Sequence, residues 1–153
     1  MTNIVRINND KGAVCRSILE ELPEWFGIES ARENYIRAVA NQVVFAFISD
    51  NQPIGLIGLK IHNQFNIEIC VMGVLPAWHR QGIGRQLVDR AKKHAQQHAI
   101  QFLTVKTLSN QSSDENYAKT RLFYKSCGFE PFEEFPDLWG KENPCLMMIK
   151  PIL

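Results

Sequence analysis

The first residues with a regular alternation of apolar and polar positions are TNIVRI (2–7), whose weak period of two predicts a first strand. Val14, Ile18, Leu19 and Leu22 then fall at helical spacing until Pro23 stops them, and Ile28, Ala31, Tyr35, Ile36 and Val39 make a second apolar stripe. Two helices are expected, flanking the segment PEWFG. From Val43 to Ile48 runs a β-branched and aromatic stretch, followed by the turn DNQP, the run IGLIGLKI, the polar turn HNQFN and the run IEICVMGV. That pattern predicts three strands in a meander. The period then changes: Ile83, Leu87, Ala91 and Ala95 stand four apart with Val88 beside them, predicting a helix over 82–98 that opens at a Gly-x-Gly. QFLTVKTL (101–108) supplies the next strand, so residues 67–108 read as a β-α-β unit whose flanking strands are parallel. Ser112 with Glu115 resembles a capping box for a shorter helix to about Ser126, ended by Cys127-Gly128. Two last strands are expected near 130–135 and 145–150.

The 153 residues show no internal repeat and no Gly-, Ser- or Pro-rich linker, which implies one domain over 1–153. Apolar residues make up 45% and charged residues 22%, which excludes collagen-like, low-complexity and wholly disordered classes. Lysine plus arginine against aspartate plus glutamate is 17 − 16 = +1, so no global positive field recommends a nucleic-acid or membrane-surface partner. No apolar run approaches the roughly 18 to 20 residues that span a bilayer, and the N-terminus lacks the zones of a signal peptide. A cytoplasmic protein, with neither nucleic acid nor membrane as partner, is expected. Cys15, Cys70, Cys127 and Cys145 form no Cys-x-x-Cys pair and read as reduced thiols, three or four of them buried and none a nucleophile. His94 and His98 have metal-ligand spacing, but Ala95 stands where HExxH needs glutamate and no third ligand is evident, so no metal is expected. With Arg85, Arg90, Lys92 and Lys93 they read as the wet face of the long helix.

The most informative segment is WHRQGIGRQL (78–87). A strand running into two glycines and a helix start presents unpaired backbone N–H groups and the positive end of the helix dipole, which makes an anion site. Gly82 and Gly84 allow close approach of a phosphate, and Arg80 and Arg85 add charge. A tight turn without a ligand is the plain alternative. A dinucleotide fingerprint fails, because its third glycine is replaced by Leu87, and a nucleotide P-loop fails for want of any Gly-Lys-Ser or Gly-Lys-Thr. Further on, the second helix carries RLFYKSCGFE (121–130). With the loop His79-Arg80-Gln81-Gly82-Ile83-Gly84, this ordered pair of motifs makes residues 42–135 resemble the acetyl-coenzyme A binding core of the GNAT N-acetyltransferase superfamily. Two positions depart from the family pattern: His79 stands where glutamine or arginine is usual, and Tyr117 where asparagine is often found.

The resemblance implies an α/β fold, a mixed, twisted sheet of about seven strands with about four helices. It implies acetyl-CoA as cosubstrate, with its pantetheine arm along the backbone of Met72, Gly73 and Val74. The pyrophosphate would lie on His79, Arg80, Gln81, Gly82, Ile83, Gly84 and Arg85. Tyr124 resembles the family's proton donor to the leaving thiolate, and transfer by direct attack of a primary amine is implied. Such an amine, with pKa near 10.4, is neutral in only about one molecule in 2,500 at pH 7, a penalty of about 4 to 5 kcal/mol, so a general base is useful. Glu68, a carboxylate in the apolar run IEICVMGV, is expensive there unless paired or used. Its place 14 residues before Gly82 also resembles the glutamate base of the superfamily's histone-acetylating branch. A solvent-facing Glu68 and a merely packed Tyr124 are the alternatives. The acceptor, a small molecule or a peptide amine, is not named by the sequence; Glu24, Trp25, Phe26 and Trp139 are candidates to attract and stack a cationic one. Monomer and homodimer both remain open. A non-catalytic acyl-CoA binding or sensing module is the alternative from another class, and action on a charged tRNA has little support at a net charge of +1.

Overall fold

Wherever period-two runs rich in β-branched and aromatic residues occur, the computed structural model, which describes residues 3–152, has a strand. Thr2, at the head of the first predicted strand, lies outside the described residues. In chain order the elements are β1 (Ile4–Ile7), α1 (Lys11–Leu19), α2 (Pro23–Phe26), α3 (Glu29–Ala38), β2 (Val43–Ser49), β3 (Gln52–Ile61), β4 (Asn66–Val74), α4 (Ile83–Gln97), β5 (Phe102–Leu108), α5 (Glu115–Ser126), β6 (Glu130–Phe135) and β7 (Cys145–Pro151). The strands form a seven-stranded sheet in the order β1-β2-β3-β4-β5-β7-β6. The mixed α/β fold is the expected one. Its fifth helix among the described residues, α2, is a single turn begun by Pro23 at its first position, in the segment read as a connector.

The chain divides into two compact units, the first formed by residues 3–60 with 69–94 and the second by 61–68 with 95–152. In the first unit the predicted α1 stripe is buried at Ile18, Leu19 and Leu22, which pack with Cys15, Ile36, Val39, Val44, Leu56 and Val71, while Val14 is half-buried and Cys15 takes its place in the core. Gly73 lets α1 lie close on β4, since a Cβ there would meet Leu22 Cδ1 at 2.9 Å and Ile18 Cγ2 at 3.2 Å. Arg16 ties α1 to α3 by donating to both carboxylate oxygens of Glu33, at 2.8 and 2.7 Å. That guanidinium holds the Glu33 carboxyl below the usual range.

The wet-face reading of α4 needs correction at two positions. His94 is buried, with its ring edge-on to Phe45 at 5.6 Å between centroids, and the Arg90 guanidinium lies 4.2 Å above the same ring. The reason is helical pitch: at 3.6 residues per turn, positions 90 and 94 flank the stripe of Leu87 and Ala91, and the face of Phe45 accepts a cation. His98, Arg85 and Lys93 are exposed, and Lys92 is half-buried.

In the second unit β7 pairs antiparallel with β5 and β6, and α5 accompanies them. The Ser112 capping expectation is overturned. Asp114 is the N-cap, its Oδ1 accepting from the N–H groups of Asn116 (2.8 Å) and Tyr117 (3.3 Å), while Ser112 Oγ accepts from Asp114 N–H at 3.2 Å. Ser112 N–H donates to the Ser109 carbonyl in a separate turn, so only Asp114 directly precedes the helix's unpaired N–H groups. At the far end Gly128 takes φ 97°, as a helix stop requires, and Lys150 Nζ donates to the Cys127 carbonyl.

All four cysteines are free thiols; Cys15, Cys127 and Cys145 are buried and Cys70 is half-buried. Burial pushes the Cys15 thiol up to about 12. It also raises that of Cys145, with Lys106 opposing the rise and Glu68 adding to it. At pH 8 a thiol titrating near 12 is ionised in about one molecule in 10⁴. A disulfide reagent at that pH is therefore expected to label Cys70 first and to leave Cys15 and Cys145 untouched until denaturant is added; mass mapping of the labelled peptides checks the order.

Candidate functional site

In the first unit β4 ends at Val74, the Leu75 N–H donates to the Ile54 carbonyl at 2.8 Å, and a 3-10 turn over Pro76–Trp78 leads to His79. Arg80 and Gly82 both lie in the left-handed region, at φ 63° and 79°, which reverses the chain within a few residues. For Arg80 that conformation costs about 1–2 kcal/mol, and strain of this kind gathers at ligand clamps. The Gln86 N–H closes the first turn of α4 on the Gly82 carbonyl at 3.1 Å, so the backbone N–H groups that precede it point out of the helix's start, over the turn. A Cβ built on Gly82 would meet nothing within 4 Å, so the space over the turn is open. With no acidic residue in the first turn and exposed Arg80 and Arg85 alongside, the turn concentrates positive potential where an anion could sit.

His79 has a specific place here. Its Nε2 lies 2.6 Å from the Val74 carbonyl, to which it donates, and its ring stands edge-on to Trp25 at 5.8 Å. Gln81 Nε2 donates to the Ala77 carbonyl at 3.3 Å. The His79 ring thus joins the last carbonyl of β4 to the loop that follows. Gly73 and Val74 are buried and Met72 is half-buried. Trp25 and Phe26 are half-buried against the α1 core, Phe26 in edge contact with Tyr35 at 5.5 Å, and Glu24 is exposed beside them. Trp139 belongs to the second unit, where it is exposed between β6 and β7 together with Leu138.

The second unit holds Glu68 and Tyr124. Only 11% of the Glu68 side chain is exposed, and its two oxygens have separate partners: His62 Nε2 at 2.6 Å from Oε1 and Lys106 Nζ at 3.4 Å from Oε2. Beside them Thr104 Oγ1 donates to Asn66 Oδ1 at 2.9 Å, a second polar bridge between the start of β4 and β5. His62 is held by a built turn. Its N–H donates to the Asn66 carbonyl at 3.0 Å, and Asn63 Oδ1 accepts from the N–H groups of Phe65 (2.8 Å) and Asn66 (3.0 Å). His62 and Lys106, the partners of this candidate site residue, are what sequence reading missed. The motif HNQFN reads as a polar turn, and nothing local says that its histidine meets a carboxylate six positions on.

Tyr124 is 6% exposed, its ring in edge contact with Phe123 (5.4 Å) and Phe129 (5.5 Å). One turn earlier Arg121 donates to the carbonyls of Leu108 (2.7 Å) and Ser109 (3.0 Å), which fixes α5 to the end of β5. Tyr117, in the first turn of the helix, is half-buried. Among the described residues no cluster of three or more His, Cys, Asp or Glu could hold a metal ion, and no helix is long and apolar enough to cross a membrane.

The family model described as an acetyltransferase (GNAT) domain matches residues 40–131, more than half of the chain. The chain belongs to the GNAT acetyltransferase family. It is thereby an acyltransferase, and the GNAT match contains Glu68, the turn 79–84 and Tyr124 alike. No curated protein matches the chain in sequence. Among solved structures, a GNAT-family protein from Desulfovibrio desulfuricans is similar at TM-score 0.81 and 14% identity, covering 98% of each chain. An aminoglycoside 6'-N-acetyltransferase complexed with coenzyme A gives TM-score 0.77 at 16% identity, over 98% of this chain and 97% of that one. The ribosomal-protein-S18-alanine N-acetyltransferase of Escherichia coli gives 0.77 at 14%, over 99% and 94%.

The His79 bond to β4 leads to a measurable expectation. His79→Ala removes one hydrogen bond at the strand's last carbonyl and should lower stability by about 0.5–1.5 kcal/mol in urea unfolding. His79→Gln, whose amide can donate to the same carbonyl, should recover most of the loss.

Proposed function

We propose that this chain, as a single domain over residues 1–153, moves an acetyl group from acetyl-CoA to a primary amine of a small molecule or peptide by direct attack. The observation that carries the reading is the GNAT match over residues 40–131, which spans a turn whose N–H groups and φ values suit a phosphate. The residues fit the cosubstrate: an open space over Gly82, the backbone N–H groups at the start of α4 and the charges of Arg80 and Arg85 suit a pyrophosphate. Coenzyme A in the complexed aminoglycoside acetyltransferase supports that choice. The backbone of Met72, Gly73 and Val74 would pair with the pantetheine arm and hold the thioester carbonyl.

Two proton transfers fall to side chains. The acceptor amine must lose a proton as its nitrogen bonds to the acetyl carbon; we assign that removal to the Glu68 carboxylate and the groups bonded to it. The departing thiolate takes a proton, assigned to the Tyr124 hydroxyl. The acceptors named for the neighbours, an aminoglycoside and the alanine of a ribosomal protein, share an amine and little else. Glu24, Trp25, Phe26 and Trp139 are proposed to receive it. A cytoplasmic location fits the reduced thiols; the chain would act as monomer or homodimer.

Calorimetric titration with acetyl-CoA, followed by a thiol-release assay over a panel of amines, tests the reading. Micromolar binding with release for one class of amine is expected; binding without release for any amine would leave a sensor, and no binding would remove the cosubstrate. Glu68→Gln and Tyr124→Phe should each lower turnover by about 10²- to 10⁴-fold while acetyl-CoA affinity stays within about twofold. Tyr124→Phe keeps the ring packed between Phe123 and Phe129, so a folded but slow variant separates the hydroxyl from the packing.

A further inference from the structure

Glu68 in this fold is not a lone carboxylate. With Oε1 on His62 and Oε2 on Lys106, its charge is engaged by a donor on each oxygen, so a proton arriving there would weaken both contacts. An ionised carboxylate only accepts, so at 2.6 Å the shared hydrogen belongs to His62 Nε2. The ring's remaining lone pair is then on Nδ1. That ring is the more open member of the pair: 33% of the His62 side chain is exposed, against 11% for Glu68. The loop that carries it is pinned by the two Asn63 Oδ1 bonds, and the Phe102 N–H donates to the Phe65 carbonyl at 2.9 Å.

Resting on the transferase reading above, we infer that the proton acceptor is His62 Nδ1, and that Glu68, bonded to His62 Nε2 through Oε1, is the positioning residue that fixes the ring's tautomer and stabilises the imidazolium. The step balances. The amine nitrogen bonds to the acetyl carbon as its proton passes to Nδ1, and the carbon–sulfur bond breaks with its electron pair going to sulfur. The sulfur receives the Tyr124 proton. The imidazolium then returns its proton to solvent, which also reprotonates Tyr124. The charged and titratable groups known to face the ring and its partner are Glu68 from β4 and Lys106 from β5, with Cys145 of β7 behind them. An imidazole suits the task because a carboxylate that holds one ring nitrogen leaves the other bare to take the proton and pass it on.

The test uses the whole chain with acetyl-CoA and the best amine found in the panel. His62→Ala is expected to lose about 10²-fold in turnover, with acetyl-CoA affinity unchanged, and added imidazole should restore rate in proportion to its concentration. Full turnover in His62→Ala overturns the assignment, and so does a slow variant that imidazole does not rescue, because a purely structural histidine would behave that way. Nitrogen-15 spectra of the unmodified protein read the pair without any catalysis: Nε2 protonated with Nδ1 bare is expected, and the opposite tautomer overturns the inference. Absence of transfer to every amine, with that tautomer present, would instead remove the transferase reading and the proton relay with it.

Discussion

A nearly buried carboxylate in an otherwise apolar strand needs partners, and three segments of the second unit meet at it. Glu68 is itself buried, between Ile67 and Ile69 in sequence, and an unpartnered charge at that depth would cost on the order of several kcal/mol. His62 and Lys106 meet that demand from two other segments, the turn after β3 and the strand β5. The consequence is geometric. Side chains on a strand alternate with period two, so a one-residue slip would turn Glu68 away from both partners and separate Asn66 from Thr104. The polar bridges thereby specify a register that the apolar residues, interchangeable in kind, leave looser.

The first unit obeys a different constraint, set by backbone rather than side chains. A strand must end, turn and start a helix while leaving the helix's first N–H groups uncovered. Arg80 and Gly82 supply the left-handed residues, and His79 fastens the result by donating to the Val74 carbonyl. The strain at Arg80 is tolerable because the neighbouring bonds, Leu75 N–H to Ile54 and Gln86 N–H to Gly82, hold the chain on either side.

What was legible in the sequence follows from this division. Strands and helices, the turn at 79–84 and the burial of the α1 stripe are all local or periodic, and apolar spacing reports them directly. Two of the errors fall where a long-range partner decides, and a third where neighbouring polar residues compete for one cap. His94 and Arg90 looked solvated because the stripe was counted at intervals of four, and nothing local announced the Phe45 ring that draws them inward. Ser112 matched a capping box in letters, yet the chain spends that residue on a turn and caps the helix with Asp114. Glu68 was singled out by its cost among apolar neighbours, but the same reasoning could not say who answers it. Lys106 lies on another strand, and His62 sits in what reads as an ordinary polar turn.

The departure at His79 illustrates how an anion site built from backbone frees its side chains. Because the N–H groups of Ile83, Gly84 and Arg85 and the helix dipole depend on chain path, the first loop position can be judged by whether it holds that path. An imidazole donating from Nε2 to the end of β4 does so, with its edge against Trp25 as a second support. A residue that would otherwise reach for a phosphate can therefore be exchanged for one that braces the turn, with little loss of positive potential as long as Arg80 and Arg85 remain. The conformational demand is met by Gly82 and Arg80, the charge by the two arginines, and the bracing by His79, so each of the three requirements rests on a different residue.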